Sequence, residues 1–170
     1  ETVNDTLASQ FVKDGYKASI LCLWKKGSGE YIHTDDYSKE VIDNEPTRAS
    51  YKKMLKNISH LNFKTFIPDI KKSLNYYKTI KQNKNDFTSK IVNIDPDFII
   101  VSNPELIKLV PPKYYSKTVI HLHTGMQFYH QNPKLTNLVL KYSQKINKVI
   151  FLTPNFVKEG QKLGFSNSIF

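Results

Sequence analysis

Three short, unbroken apolar runs constrain this chain more than any other feature: Phe98-Ile99-Ile100-Val101, Thr118 to Leu122, and Val149 to Leu152. Each is too short for a typical helix, and none alternates with polar residues, so each reads as a strand covered on both faces, the condition of a parallel sheet with helices on either side. Between the last two runs, Leu135, Leu138, Val139, Tyr142 and Ile146 recur at helical spacing after Asn132-Pro133. Beyond Leu152, Thr153-Pro154 opens another helix that runs to about Leu163 and stops at Gly164, and Ser168-Ile169-Phe170 begins a further strand. Strands alternating with helices specify the α/β class: an open, mostly parallel sheet flanked by helices and joined by right-handed crossovers.

The first half is less regular. Val3, Leu7 and Phe11 recur every four residues with Ala8 and Val12 beside them, a helix face that Gly15 ends. Ala18 to Leu23 then reads as a strand. Residues 25–45 are polar and read as a loop. Pro46 opens a helix carrying Tyr51, Met54, Leu55, Ile58 and Leu61. A second helix follows Pro68, with Ile70, Leu74, Tyr77 and Ile80 on one side and Lys71, Lys72, Lys78 and Lys84 on the other, and Gln82 to Thr88 reads as a polar break.

At 170 residues the chain suits one domain with a real core. The single cysteine, Cys22, excludes an intramolecular disulfide framework, and its neighbours Ile20, Leu21 and Leu23 make it a structural thiol. No apolar run approaches the roughly 18 residues of a membrane span, and no signal peptide is visible, although the chain opens at Glu1 and not at a methionine. Cysteine usage and the lack of a targeting segment point to the cytoplasm. Lys and Arg number 25 against 15 Asp and Glu, a formal charge of +10, yet Arg48 is the only arginine. Readers of DNA sequence lean on the arginine fork, so a nucleic-acid partner is not expected. A lysine surface suits solvent, phosphate-rich polymers or anionic lipid headgroups instead.

In open α/β sheets, ligands bind beyond the carboxyl ends of the strands. The residues there are Trp24, then Ser102-Asn103-Pro104, then His123-Thr124-Gly125, then Thr153-Pro154-Asn155, and these four clusters are expected along one edge. Asn103-Pro104-Glu105, Asn132-Pro133 and Thr153-Pro154 share a form, a short polar residue followed by proline at a helix start. Such a start is a structural cap first; it also turns free N–H groups and a positive dipole end toward any nearby anion. His121 and His123 lie two apart on a strand and point the same way. His123 falls where the strand ends, and two readings stay open for it, a structural histidine or a site group; His33, His60 and His130 read as structural. The histidine spacing alone would allow a zinc pair, but no third ligand at metal spacing accompanies it, and no metal is expected. Asp95 and Asp97 precede their strand, on the opposite edge, so a hydrolase with two facing carboxylates is poorly supported. Nucleotide-binding glycine motifs and the nucleophile elbow Gly-x-Ser-x-Gly are both missing.

Taken in order, several segments are similar to one family. The helix through Gly15-Tyr16-Lys17-Ala18-Ser19-Ile20, the run Asn93 to Ile100 centred on Asp95-Pro96-Asp97, the strand Val119 to Thr124 ending in His-Thr, and Ile146 to Thr153 followed by Gly160, Leu163 and Gly164 together resemble the N-terminal domain of GT-B glycosyltransferases, specifically the retaining group 1 enzymes of glycosyltransferase family 4. Each motif alone is weak; their order and spacing carry the resemblance, which covers nearly the whole chain. It implies a Rossmann-like sheet, one half of a GT-B fold, with residues 1–170 as a single acceptor-side domain. The family's first strand and glycine-rich turn would precede Glu1, and the domain that grips the donor nucleotide would follow Phe170.

The activity so implied is a retaining transfer from a nucleotide sugar to an acceptor hydroxyl, of the hexosyltransferase type, by the full-length protein and not by this piece alone. His123 would be the catalytic-site residue, contacting a sugar hydroxyl, with Asn103, Glu105, Thr124, Gly125 and Thr153 lining the acceptor cleft. No cofactor is implied; the nucleotide-sugar donor would be held mainly by the second domain. The partners would be the nucleotide sugar and a glycan, lipid or polymer acceptor. Richness in Lys, Asn, Ile and Tyr points to a bacterial genome low in G and C, and hence to cell-envelope polysaccharide, teichoic acid or glycolipid synthesis. Acceptor domains of this family often meet a membrane, so Lys71, Lys72, Tyr76, Tyr77, Lys78, Lys81 and Lys84 form a candidate docking surface for an anionic membrane or polymer, at the inner face of the membrane; an ordinary solvated helix face is the alternative. The rival functions are a non-catalytic GT-B-like subunit that binds a glycan or protein, and a sugar-nucleotide epimerase.

Overall fold

The computed structural model describes residues 3–25, 37–44 and 63–170. The chain is mixed α/β with parallel sheets flanked by helices, and it divides into two compact units, Glu1–Phe87 and Thr88–Phe170.

In the first unit, helix α1 (Val3–Lys13) leads to strand β1 (Ser19–Lys25), which pairs in parallel with β2 (Ser38–Asn44). Gly15 ends α1 as expected. Its φ of +88° puts it in the left-handed region, and bonds from Gly15 N–H to the Val12 carbonyl and from Tyr16 N–H to the Phe11 carbonyl close the last turn. The Tyr16 ring meets Phe11 edge-on, the apolar contact that completes this cap. A polar cluster joins α1 to β2: Tyr37 Oη donates to Asp5 Oδ1 at 2.6 Å, and Lys39 Nζ lies 2.8 Å from the same oxygen. Burial works against the charge on Lys39, but the Asp5 hydrogen bond and charge outweigh it and raise its pKa. Burial pushes the half-buried Cys22 thiol up, which keeps it protonated and suits a structural role.

Three sequence expectations change here. Strand β2 occupies part of the stretch read as a loop. Helix α2 (Phe63–Ile94) starts before Pro68 and runs through the expected break at 82–88 without interruption. That polar stretch contains no proline or glycine, and Asn83, Phe87 and Ile91 continue a buried stripe at four-residue spacing. Asn83 Nδ2 donates to Asp43 at 3.1 Å, so a buried amide takes a place that an apolar residue would otherwise hold. The helix expected after Pro46 lies outside the described residues.

The second unit contains a four-stranded parallel sheet in the order β3 (Ile99–Val101), β4 (Thr118–Leu122), β5 (Lys148–Phe151) and β6 (Ser168–Ile169). Two 3-10 helices (Pro104–Leu109 and Pro112–Lys117) link β3 to β4. Helices α3 (Met126–Gln131) and α4 (Pro133–Ser143) link β4 to β5, and α5 (Pro154–Lys162) links β5 to β6. Because the strands advance in one direction, right-handed crossovers place all of these connections on one face. The burial pattern agrees. Val101, Ile120, Leu122, Val149 and Phe151 share that face by register and are all buried, whereas on the other face Val119 is buried but Ile100, His121 and Ile150 are only half-buried. Coverage of both faces, expected from the unbroken apolar runs, is thus fuller on one side.

Gly160 shows how closely α5 packs: a Cβ there would come within 2.6 Å of the Phe151 ring. Gly164, at φ +103°, ends α5 with bonds from its N–H to the Gln161 carbonyl and from Phe165 N–H to the Gly160 carbonyl. The ring of the buried Phe165 then rests edge-on against Phe151. On the amino side of the sheet, Asp95 accepts a 2.6 Å bond from the hydroxyl of buried Tyr114; that bond, with the nearby Lys113 charge, holds its carboxyl below the usual range.

Candidate functional site

The carboxyl edge of the second unit's sheet brings together three of the four expected clusters, those after β3, β4 and β5. Trp24 belongs to the first unit. It lies inside β1, opposite Asp43, in the separate two-stranded sheet.

After β3, Asn103 Oδ1 accepts from Glu105 N–H at 3.1 Å and caps the first 3-10 helix; Glu105 is exposed in its first turn. After β5, Thr153 Oγ1 accepts from Phe156 N–H at 3.2 Å and caps α5. Both side chains therefore do what their position before a proline predicts. Asn132 departs from that pattern. Its side chain makes no cap bond to α4 and instead donates from Nδ2 to the Phe128 carbonyl at 2.7 Å, closing the end of α3.

After β4 the histidines lie as strand alternation predicts. The His121 and His123 rings share one face, with centroids 4.1 Å apart and planes tilted by 54°. Burial lowers the pKa of both, and the charge of His123 lowers that of His121 further. At neutral pH the pair is two neutral imidazoles, each with one donor and one acceptor nitrogen. Thr124 is exposed and hydrogen-bonds the phenol of Tyr129, a side chain buried beneath α3 whose pKa is raised by that burial. Gly125 precedes α3 with φ −64°, and a Cβ there would meet Phe156 at an ordinary 3.6 Å. Neither a positive φ nor close packing demands glycine at that position, where it serves as the N-cap of α3.

The sequence reading did not find α3 itself, and with it missed exposed Phe128, an aromatic in the first turn after Gly125, and buried Tyr129. A pairing of Met126 with Tyr129 at three-residue spacing was the available signal. It also missed Ile150, which lies opposite His121 by register. His130 is exposed, while His33 and His60 lie outside the described residues. Among the described residues, no three His, Cys, Asp or Glu side chains come together as a metal would need, and no helix is long and apolar enough to cross a membrane.

What this edge offers chemically is a pair of uncharged imidazoles at the end of an inner strand, exposed hydroxyl and carboxyl groups beside them, and an unobstructed glycine. Such a set can both donate to and accept from hydroxyl groups. No family model matches the chain, and neither a curated relative nor a solved structure matches it.

Proposed function

We propose that this chain is the acceptor-side half of a retaining glycosyltransferase of the GT-B type, which moves a sugar from a nucleotide sugar to an acceptor hydroxyl. The observation that carries the reading is the placement of His123, neutral and half-buried, at the carboxyl end of inner strand β4 beside His121. A neutral imidazole can accept a bond from one sugar hydroxyl and donate to another without the desolvation penalty of a charge. In the proposed reaction the acceptor oxygen bonds to the anomeric carbon as the bond to the leaving diphosphate breaks on the same face of the sugar, and the acceptor's hydroxyl proton passes to the departing phosphate oxygen. His123 positions the sugar, with Thr124, Gly125 and Glu105 available to the acceptor. The charge of the leaving diphosphate is met by the donor-binding domain that the family resemblance implies, so the work of this chain is orientation. The proposed setting is bacterial cell-envelope polysaccharide, teichoic acid or glycolipid synthesis in the cytoplasm.

The test is nucleoside diphosphate release by the complete gene product with a panel of nucleotide sugars and acceptors, run in parallel with His123→Ala. The expected result is release that depends on one donor and falls about a hundredfold in the variant, the size of effect that lost positioning produces. Release unchanged by the substitution removes His123 from the mechanism. A folded protein that releases nothing with any donor but binds a glycan is a non-catalytic binding subunit.

A further inference from the structure

Helix α2 presents a face that its burial pattern leaves to solvent. At 3.6 residues per turn, Ile67, Lys71, Leu74, Lys78 and Lys81 fall within roughly 80° of arc, and Tyr77 and Lys84 extend one flank of it. Buried Asn83 and Phe87 lie on the opposite side of the helix, as half-buried Tyr76 does. The outer face carries three large apolar side chains that are mostly exposed, Ile67 at 53%, Leu74 at 64% and Tyr77 at 56%. All the lysines on it are exposed too. The nearest acids in sequence, Asp69 and Asp86, both fall outside the arc. Lys72 and Tyr76, grouped with this surface on composition, therefore lie off it, while Ile67 and Leu74 belong to it.

We propose that this face is a docking surface for an anionic lipid bilayer, with α2 lying in the plane of the interface. Lysines with no acid among them on this face of the helix match a negatively charged headgroup layer. A soluble polyanion would need only the lysines. The three apolar side chains among them gain nothing from such a partner, but they gain burial at the boundary of headgroups and acyl chains. Lysine stems can lie along that boundary while their ammonium groups stay with the phosphates. A second copy of the chain fits poorly, because it would bring like charge to the same face. The surface is set by α2 alone and does not depend on the sugar-transfer reading.

The experiment is cosedimentation of the 170-residue chain with vesicles of neutral phosphatidylcholine and with vesicles containing a quarter phosphatidylglycerol, at low salt and at about 0.5 M salt. The expected result is binding to the anionic vesicles only, lost at high salt. Each lysine near an anionic surface contributes roughly a five-fold factor, so Lys71→Gln, Lys78→Gln and Lys81→Gln together lower vesicle affinity about a hundredfold. Lys108→Gln with Lys117→Gln, outside α2, leaves it unchanged. Leu74→Ser weakens vesicle binding several-fold but does not alter binding to soluble polyphosphate. Circular dichroism confirms that each variant is folded. The proposal is overturned by absence of binding at low salt, by equal binding to neutral vesicles, or by a triple variant that binds like the parent. It is also overturned if Leu74→Ser has no effect, which would leave the lysines as a site for soluble polyanions.

Discussion

His121 and His123 are neutral for a physical reason that can be measured apart from any activity. Burial disfavours the charged form of each ring, and a first proton on one disfavours a second on its neighbour 4.1 Å away. In the unfolded chain both return to the ordinary value of about 6.5. Below that pH the unfolded state binds more protons than the folded state, so stability falls as acid is added, until the lowered folded values are reached. It is fully present above about pH 6.5, where both states are neutral. The urea midpoint should therefore drop between about pH 7.5 and about pH 5, and the double variant His121→Gln with His123→Gln should lose less over the same interval. An unchanged pH slope in the double variant would mean that the two rings are solvated as freely when folded as when unfolded. Alternation along a strand was enough to place the two rings together from sequence. The half-coverage of their face was not legible, since it follows from the order of the strands, which no single segment encodes.

Elements were legible where one segment carries its own pattern. Strands β3 to β5 are short, mainly apolar runs, α4 has a periodic stripe, and α1 and α5 end at glycines whose positive φ makes them stops. Elements were missed where the pattern depends on a partner. β2 reads as polar, Ser-Lys-Glu-Val-Ile-Asp-Asn, and becomes a strand by pairing with β1, helped by the hydrogen bond from Ser38 Oγ to Ser19 Oγ at 2.8 Å. The centre of α2 reads as a break because its inward residue is Asn83, satisfied by Asp43. α3 spans only six residues. The join of α5 to β5 belongs to the same scale. Gly160→Ala drives a methyl into the Phe151 ring, which is itself buried and backed by Phe165, so neither side can yield cheaply. We expect a loss of about 1–3 kcal/mol in urea unfolding. Gly125→Ala, with room for its methyl, should stay within about 0.5 kcal/mol. If it nonetheless weakens acceptor binding, the ligand approaches the backbone there.

For the molecule as a whole, the described residues concentrate full burial in one place. Tyr114, Phe151, Phe165, Ile107, Ile120, Leu122, Met126, Val139, Val149 and Thr118 are the largest fully buried side chains, and all belong to the second unit. Opening β4 or β5 breaks a ladder on each side and uncovers the face that Ile120, Leu122, Val149 and Phe151 share. Opening β3 or β6 breaks one described ladder, and β1 and β2 have only each other among the described strands, an arrangement that is weak unless other packing supports it. Native-state hydrogen exchange reports these differences residue by residue. The slowest amides should be those of Ile120 to Leu122 and Val149 to Phe151, with β3 and β6 faster and β1 and β2 faster still. Equal protection across both sheets would place the stability of the chain outside the contacts described here. The expected ranking has a consequence for the site. His123 follows directly on Leu122, the last residue of the best-protected strand, so its ring is carried on a rigid base. A loss of turnover in His123→Ala with the exchange of β4 unchanged would then report the missing imidazole and not a loosened sheet.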